Sequence, residues 1–172
     1  MKITEQDKCV GCSACAQICP PNAIAMTADE EGFLRPQINE DLCVACGLCQ
    51  KTCPAETPGL QKGERKAYAL KHKQEAVRDK CTSGGAFIAL SDEVLSRGGV
   101  VYGVIYDETF RAVHARATDV QSRDKMCGSK YVQSDATEGI ANAAALLARG
   151  MPVMFTGTPC QVDGLLAAVK KR

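Results

Sequence analysis

The sequence predicts an α+β protein, in which a small cysteine-rich domain over residues 1–60 precedes an α/β domain over residues 61–172. Eight of the eleven cysteines lie between Cys9 and Cys53, and a segment with two prolines and two glycines follows them. Beyond that segment, helical and strand-like patterns alternate. We also expect the second domain to be truncated, because nothing follows its last helix to complete a layer.

The composition is that of a soluble globular protein, with 45% apolar and 24% charged residues. The first residues contain no apolar segment typical of a secretory signal, and the apolar run at 141–148 is too short to span a bilayer. We therefore expect a cytoplasmic protein with no membrane span and no nucleic-acid partner.

The two halves differ in charge. Residues 1–60 carry four basic and eight acidic side chains, a net charge of −4, whereas residues 61–172 carry 17 basic and 12 acidic side chains, a net charge of +5. A basic domain suits a phosphorylated cofactor or an acidic partner. A mixed, solvated surface explains a charge of this size equally well.

The cysteine spacing Cys-x2-Cys-x2-Cys-x3-Cys-Pro occurs twice, starting at Cys9 and again 34 residues later at Cys43. This spacing is typical of bacterial two-cluster ferredoxins, in which the fourth cysteine of each run ligates the other cluster. We therefore predict two [4Fe–4S] clusters in a ferredoxin-like domain. The first would be held by Cys9, Cys12, Cys15 and Cys53, and the second by Cys43, Cys46, Cys49 and Cys19.

Zinc is the alternative for these cysteines, because structural Zn²⁺ also binds four thiolates, often as two Cys-x2-Cys pairs. Zinc does not call for three cysteines in seven residues with a crossing fourth, twice over. A disulfide framework is disfavoured by the odd number of cysteines and by the expected cytoplasmic location. Small residues at Gly11, Ala14, Ala45 and Gly47 leave room for a cluster and its backbone N–H contacts.

Hydrophobic spacing in the second domain predicts helices over 84–97, 137–149 and 161–171. It predicts a hairpin of strands over 100–106 and 112–117, a short strand over 152–155, and a possible strand over 67–71.

Three short motifs in this domain are candidates for ligand binding: CTSGGAF at 81–87, GSKYVQS at 128–134 and FTGTPCQ at 155–161. The first opens a helix, whose free N–H groups can bind an anion such as phosphate. An ordinary helix cap at Thr82 or Ser83 is the plainer interpretation. The third lies at a strand–loop–helix junction, where α/β domains often bind ligands.

The three motifs, in this order and behind a two-cluster module, resemble the beta-subunit family of coenzyme F420 hydrogenases and dehydrogenases. The resemblance covers the chain but only the front part of a family member, whose C-terminal type of domain would begin near residue 150. It implies an iron–sulfur flavoprotein oxidoreductase whose FAD, or FMN, exchanges a hydride with F420 or another organic substrate and passes single electrons to the clusters.

The resemblance also implies which residues face the flavin and which partners the protein has. The flavin positions are Thr82, Ser83, Gly84, Gly85, Gly128, Ser129, Lys130, Tyr131, Thr156, Gly157, Thr158, Pro159 and Cys160. The implied partners are a redox protein or subunit and a small-molecule hydride donor or acceptor.

Several alternatives remain open at this point. A non-enzymatic subunit that only relays electrons would share the same cysteine pattern. The thiols of Cys81, Cys127 and Cys160 fit a third metal centre, a role beside the flavin, or simple burial as small hydrophobes. We expect His72 and His114 to be solvated or structural, and no catalytic residue is identified.

Overall fold

A computed structural model of the protein describes residues 3–57 and 66–170. Residues 3–57 form a small unit of short helices around one antiparallel hairpin, with Ile24 opposite Ile38 and Ala28 opposite Leu34. Its elements are a 3-10 helix at Gln6–Lys8, α1 at Ala14–Ile18, β1 at Ile24–Ala28, β2 at Leu34–Ile38 and α2 at Leu48–Thr52.

The second unit is a three-stranded sheet with helices packed against it. The strand order is β4-β3-β5, with β3 antiparallel to β4 and parallel to β5. Its elements are α3 at Glu75–Arg78, α4 at Ala86–Ser96, β3 at Val100–Tyr106, β4 at Ala112–Ala117, α5 at Val120–Asp124, α6 at Thr137–Ala148, β5 at Val153–Phe155 and α7 at Pro159–Lys170.

The mixed helix and strand content agrees with the α+β class expected from the sequence. The hairpin of β3 and β4 has the bounds that the sequence predicts, and the three long helices lie within two residues of theirs at each described end. The predicted end of α7 at Lys171 and most of the glycine- and proline-rich linker fall outside the described residues.

The prediction of a strand over 67–71 is wrong. This segment is irregular, and its end is held by one backbone bond of 2.6 Å from His72 N–H to the Gly84 carbonyl. The segment therefore runs beside the turn that precedes α4 instead of beside a strand, so no ladder forms. Within the described residues, no helix is both long enough and apolar enough to cross a membrane.

Strand β3 is the centre of the second unit because both of its faces are covered. Val100 and Tyr102 pack with α6 and α7 on one face, while Val101 packs with Ala117 and Met126 on the other. Burial on both faces explains the continuous apolar sequence at the start of this strand.

The two units are in direct contact through α1. The Ser13 hydroxyl is 2.9 Å from the Thr137 hydroxyl at the start of α6, and the Gln17 amide donates a 2.8 Å bond to the Thr137 carbonyl. A methyl group on Gly164 of α7 would lie only 3.1 Å from the Ala14 Cβ atom. The first cysteine motif is therefore seated against α6 and α7.

We predict that Gly139→Ala destabilises the protein although alanine is the better helix former. The added methyl group would lie 2.6 Å from the Cβ atom of His114. Overpacking of this kind costs about 1–3 kcal/mol, which exceeds the gain in helix propensity of about 1 kcal/mol. Asn142→Ala on the exposed side of the same helix is the control and should raise the thermal midpoint slightly. A higher midpoint for Gly139→Ala would contradict the close approach of α6 and β4.

Candidate metal centres and a neighbouring cavity

The two cysteine loops have the same backbone conformation. Gly11 and Ser13 in the first loop have φ of 62° and 64°, and the equivalent Ala45 and Gly47 in the second have 52° and 71°. The left-handed region costs an L-residue such as Ser or Ala about 1–2 kcal/mol, so each loop holds strain at one position, Ser13 in the first and Ala45 in the second. Loops with such turns direct successive backbone N–H groups to one side, which suits an anionic cluster.

The first candidate quartet is mostly buried where α1 begins. Cys12, Cys15 and Cys53 are each less than 10% exposed, and Cys9 is half-buried. Burial raises the pKa of Cys12 to about 11, and the neighbouring thiols of Cys160, Cys53 and Cys9 add to the rise. The pKa of Cys15 rises to about 12, mainly through burial and then through Cys12, Cys9 and Cys53. The structure therefore brings Cys53 close to the first loop.

The second candidate quartet lines one small cavity. Cys19, Cys43, Cys46 and Cys49 share its wall with apolar residues that include Ile24 and Ile38 of the hairpin. Burial raises the pKa of Cys49, and the nearby Cys19 and Cys46 add to the rise. Cys19 therefore lies beside the three cysteines of the second loop in the wall of this cavity.

The donor set fits cubane clusters. Within the described residues, no three His, Cys, Asp or Glu side chains converge on a point that would take a single metal ion. A cubane differs from a single ion in that each of its four thiolates binds a different iron, so its ligands are spread around a larger body. Loading requires deprotonated thiols, so cluster assembly must release the protons that burial retains on Cys12 and Cys15.

Arg35 fastens the hairpin to the first loop. Its guanidinium pairs with the Asp29 carboxylate at 2.9 Å and donates a hydrogen bond to the Cys9 carbonyl. That arginine lowers the pKa of Asp29. The hairpin between the two motifs therefore fixes the position of the Cys9 backbone.

Cys160 lies beside the first quartet. It is the second residue of α7, and its thiol is near enough to Cys12 to contribute to the raised pKa of that residue, after burial. The Cys160 sulfur is 3.1 Å from the Thr158 hydroxyl. One turn further along α7, a methyl on Gly164 would lie 3.6 Å from the Cys12 carbonyl. The GTPCQ motif thus meets the ferredoxin module at the first quartet.

A separate cavity of about 240 Å³ joins the first motif to the start of the second. Five of the flavin positions predicted from the resemblance line it, and α4 begins at its edge. The thiols of Cys81 and Cys127 line it together, and burial raises the pKa of Cys127. The predicted flavin positions that line it are Thr82, Ser83, Gly85, Gly128 and Ser129.

Other predicted flavin positions do not line this cavity. The Lys130 ammonium donates to the carbonyl groups of Lys125, Met126, Cys127 and Gly128 at 3.0–3.4 Å, so it closes the end of α5. Tyr131 is 94% exposed. A methyl on Gly84 would lie 2.6 Å from the Leu70 carbonyl, so this glycine permits a close backbone approach.

The third motif is held by a buried histidine that the sequence analysis left without a specific role. The His114 Nε2–H donates a 2.9 Å bond to the Thr156 carbonyl, and its ring stacks on Phe155 with centroids 4.9 Å apart. The free Nδ1 then accepts from the Ser134 hydroxyl at 3.3 Å, because a neutral imidazole has one donor and one acceptor. Burial lowers the pKa of His114, which keeps the ring neutral.

Gln161 completes this network. Its amide nitrogen donates to the Ser134 hydroxyl at 3.1 Å, and its oxygen accepts from the Thr158 backbone N–H at 2.9 Å. A methyl on Gly157 would lie 2.8 Å from the Gln161 oxygen and 3.2 Å from the His114 Nε2. The end of the second motif therefore supports the loop of the third. A lone histidine gives no sequence signal for such a role, since its partners come from distant segments.

Two family models match the sequence, and each describes a 4Fe-4S dicluster domain, over residues 8–57 and over residues 35–86. The matches overlap, and only the first contains both cysteine quartets. A search of curated proteins found no match. The chain therefore carries a two-cluster 4Fe–4S ferredoxin module, and its chemistry is iron–sulfur electron transfer.

We predict that pairs of cysteine substitutions reveal the wiring through iron content. The intact protein should hold about eight irons, four for each cubane. Cys19→Ser combined with Cys46→Ser should leave about four, because both changes affect one cluster, whereas Cys19→Ser combined with Cys12→Ser should leave almost none. Iron and sulfide analysis after anaerobic reconstitution measures this. The reverse pattern would show that each cluster uses four consecutive cysteines.

We also predict a pH dependence of stability that is specific to His114. Because its pKa is lower in the folded than in the unfolded chain, the unfolded state binds the proton more readily, and the stabilisation from the neutral ring is lost as pH falls below about 6.5. The hydrogen bond to the Thr156 backbone opposes this shift most, and the backbone and charge of Asp135 add to the opposition without reversing the shift.

The measurement compares thermal midpoints between pH 7.5 and pH 5.5 for the native protein, His114→Gln and His72→Gln. His114→Gln should lose less stability than the native protein across this range. His72→Gln removes the other histidine and should behave like the native protein. Equal losses in all three proteins would show that His114 does not titrate differently on folding.

Proposed function

We propose that the chain is an iron–sulfur flavoprotein oxidoreductase, in which residues 61–172 bind FAD or FMN beside the two-cluster module of residues 1–60. A bound flavin would exchange a hydride with F420 or another organic substrate, and would pass its two electrons singly to the clusters. In this proposal the first cluster is held by Cys9, Cys12, Cys15 and Cys53, and the second by Cys19, Cys43, Cys46 and Cys49.

The observation that carries the proposal is the contact between the GTPCQ motif and the first quartet. Cys160 neighbours Cys12, and Gly164 allows α7 to approach α1 closely. Burial of the first quartet under the second unit would bring a redox centre bound by that unit close to the first cluster. The fixed polar network of His114, Ser134 and Gln161 keeps the same loop in one position.

The cavity at the start of α4 supports a phosphate-binding role. Gly85 has φ of 83° and supplies no side chain to cap α4, so the first N–H groups of this 11-residue helix are open to an anion. Ser83 and Ser129 add hydroxyl groups to the wall. The volume of about 240 Å³ is below the range of roughly 300–1,000 Å³ for whole organic ligands, so the cavity fits the phosphate end of a flavin.

The second candidate function is a non-enzymatic electron-transfer subunit. It is favoured by the small cavity and by the engagement of Lys130 with four backbone carbonyls instead of with an open site. The two candidate functions differ in flavin stoichiometry. The flavoprotein binds one flavin per chain, and the electron-transfer subunit binds none.

We predict that Ser83→Tyr weakens flavin binding at least tenfold while the iron content stays unchanged. The tyrosine ring would fill the cavity between Ser83 and Ser129, which the proposal assigns to the flavin phosphates. Ala89→Tyr is the matched control, since Ala89 lies exposed on α4 and does not line the cavity. Binding of FAD and FMN is measured by fluorescence quenching on anaerobically reconstituted protein.

Equal binding by the two tyrosine variants would place the flavin elsewhere. Failure of the native protein with eight irons to bind either flavin would favour the electron-transfer subunit.

A further inference from the structure

The two quartets face different surroundings. Three cysteines of the first quartet are buried, under α1 and its contacts with α6 and α7. In the second quartet Cys46 is exposed, and Cys19 and Cys43 are half-buried. The second candidate cluster is therefore the one that a protein in solution can approach.

The loop that carries the second quartet presents apolar side chains beside the exposed thiol. Leu42 is 49% exposed and Val44 is 66% exposed, on either side of Cys43. The acidic side chains of Glu40 and Asp41 precede them on the same loop and are exposed. We name this patch the Val44 surface, and it comprises Glu40, Asp41, Leu42, Val44, Ala45 and Cys46.

We propose that the Val44 surface is the docking site of a small basic one-electron carrier protein, which exchanges electrons with the second cluster there. This inference rests on the proposed assignment of Cys19, Cys43, Cys46 and Cys49 to one cluster. One electron passes from the reduced cluster to the oxidised carrier, and no proton is transferred. An apolar centre with a charged rim is the usual anatomy of a transient protein interface.

The charge of the partner follows from the charge of the module. Residues 1–60 carry a net charge of −4, and two acidic side chains lie within the surface itself. Lys51 on α2 is exposed and reduces this local charge without reversing it. Complementary charge raises association rates by tenfold or more at low salt, so a basic carrier is the partner that this surface favours over a neutral or acidic one.

The test uses the reconstituted holoprotein and ferricytochrome c, a small basic haem protein, as the probe. Asp41→Lys removes an acidic charge inside the surface, and Glu30→Lys makes the same change of net charge in the turn at the far end of the β1–β2 hairpin. Val44→Asn removes the apolar centre, and Phe110→Asn does the same at an exposed aromatic residue of the second unit. Iron content and bleaching by dithionite are measured first.

Reduction of ferricytochrome c by the pre-reduced protein should slow by about tenfold in Asp41→Lys, and by less than threefold in Glu30→Lys, at low salt. Val44→Asn should slow it and Phe110→Asn should not. Calorimetric binding of the two oxidised proteins, in which no electron moves, should weaken in the same order. Reduction of 1,4-benzoquinone, a small neutral one-electron acceptor that needs no docking surface, should keep nearly its native rate in all four variants.

Equal effects of Asp41→Lys and Glu30→Lys would show that only the overall charge matters, and would overturn the proposal. It would also fail if Asp41→Lys slowed the reduction of the neutral quinone as strongly, since the change would then act on the cluster. Dimer formation that is lost in Val44→Asn would assign the surface to a second copy instead. If iron content and bleaching are normal but all four variants reduce ferricytochrome c at the native rate, the docking site alone is overturned. If the protein holds no iron after reconstitution, the cluster assignment is overturned as well.

Discussion

The close contact of α1 with α7 is the constraint on which the arrangement of the two units depends. A side chain at Gly164 would crowd α7 against the turn at Cys12 and Ala14, since its Cβ atom would lie 3.1 Å from the Ala14 Cβ atom. The hydroxyl pair of Ser13 and Thr137 fixes the start of α6 against the same helix. Because Ser13 already has the left-handed conformation that the cysteine loop needs, the strain of the metal loop and the contact between the units are held at one residue.

This contact gives the two cysteine quartets unequal surroundings. In the proposed function, the buried first quartet beside the GTPCQ motif would exchange electrons within the protein, and the second quartet with its exposed cysteine would exchange them with a partner. The sequence repeat alone presents the two motifs as equivalents. Their difference comes entirely from what packs on each, since α6 and α7 cover one and solvent meets the other.

The polar network around His114 shows how the second unit keeps its motifs in place. The imidazole bonds to Thr156, the Ser134 hydroxyl lies between the imidazole and Gln161, and Gln161 returns to the loop. The side-chain polar atoms of His114, Ser134 and Gln161 all have partners, which removes the desolvation cost that an unsatisfied group would carry. Lys130 has a comparable structural task at the end of α5, which accounts for a lysine in a motif without requiring a ligand.

The sequence by itself determined the metal chemistry, the hairpin of β3 and β4 and the approximate bounds of the three long helices, because cysteine spacing and hydrophobic periodicity are local signals. It did not determine that residues 67–71 form no strand, since a strand exists only where another edge pairs with it. Only the tertiary structure decided that Cys160 neighbours Cys12 and that His114 supports the GTPCQ loop. Those contacts join residues that are far apart in the sequence, so no local sequence pattern indicates them.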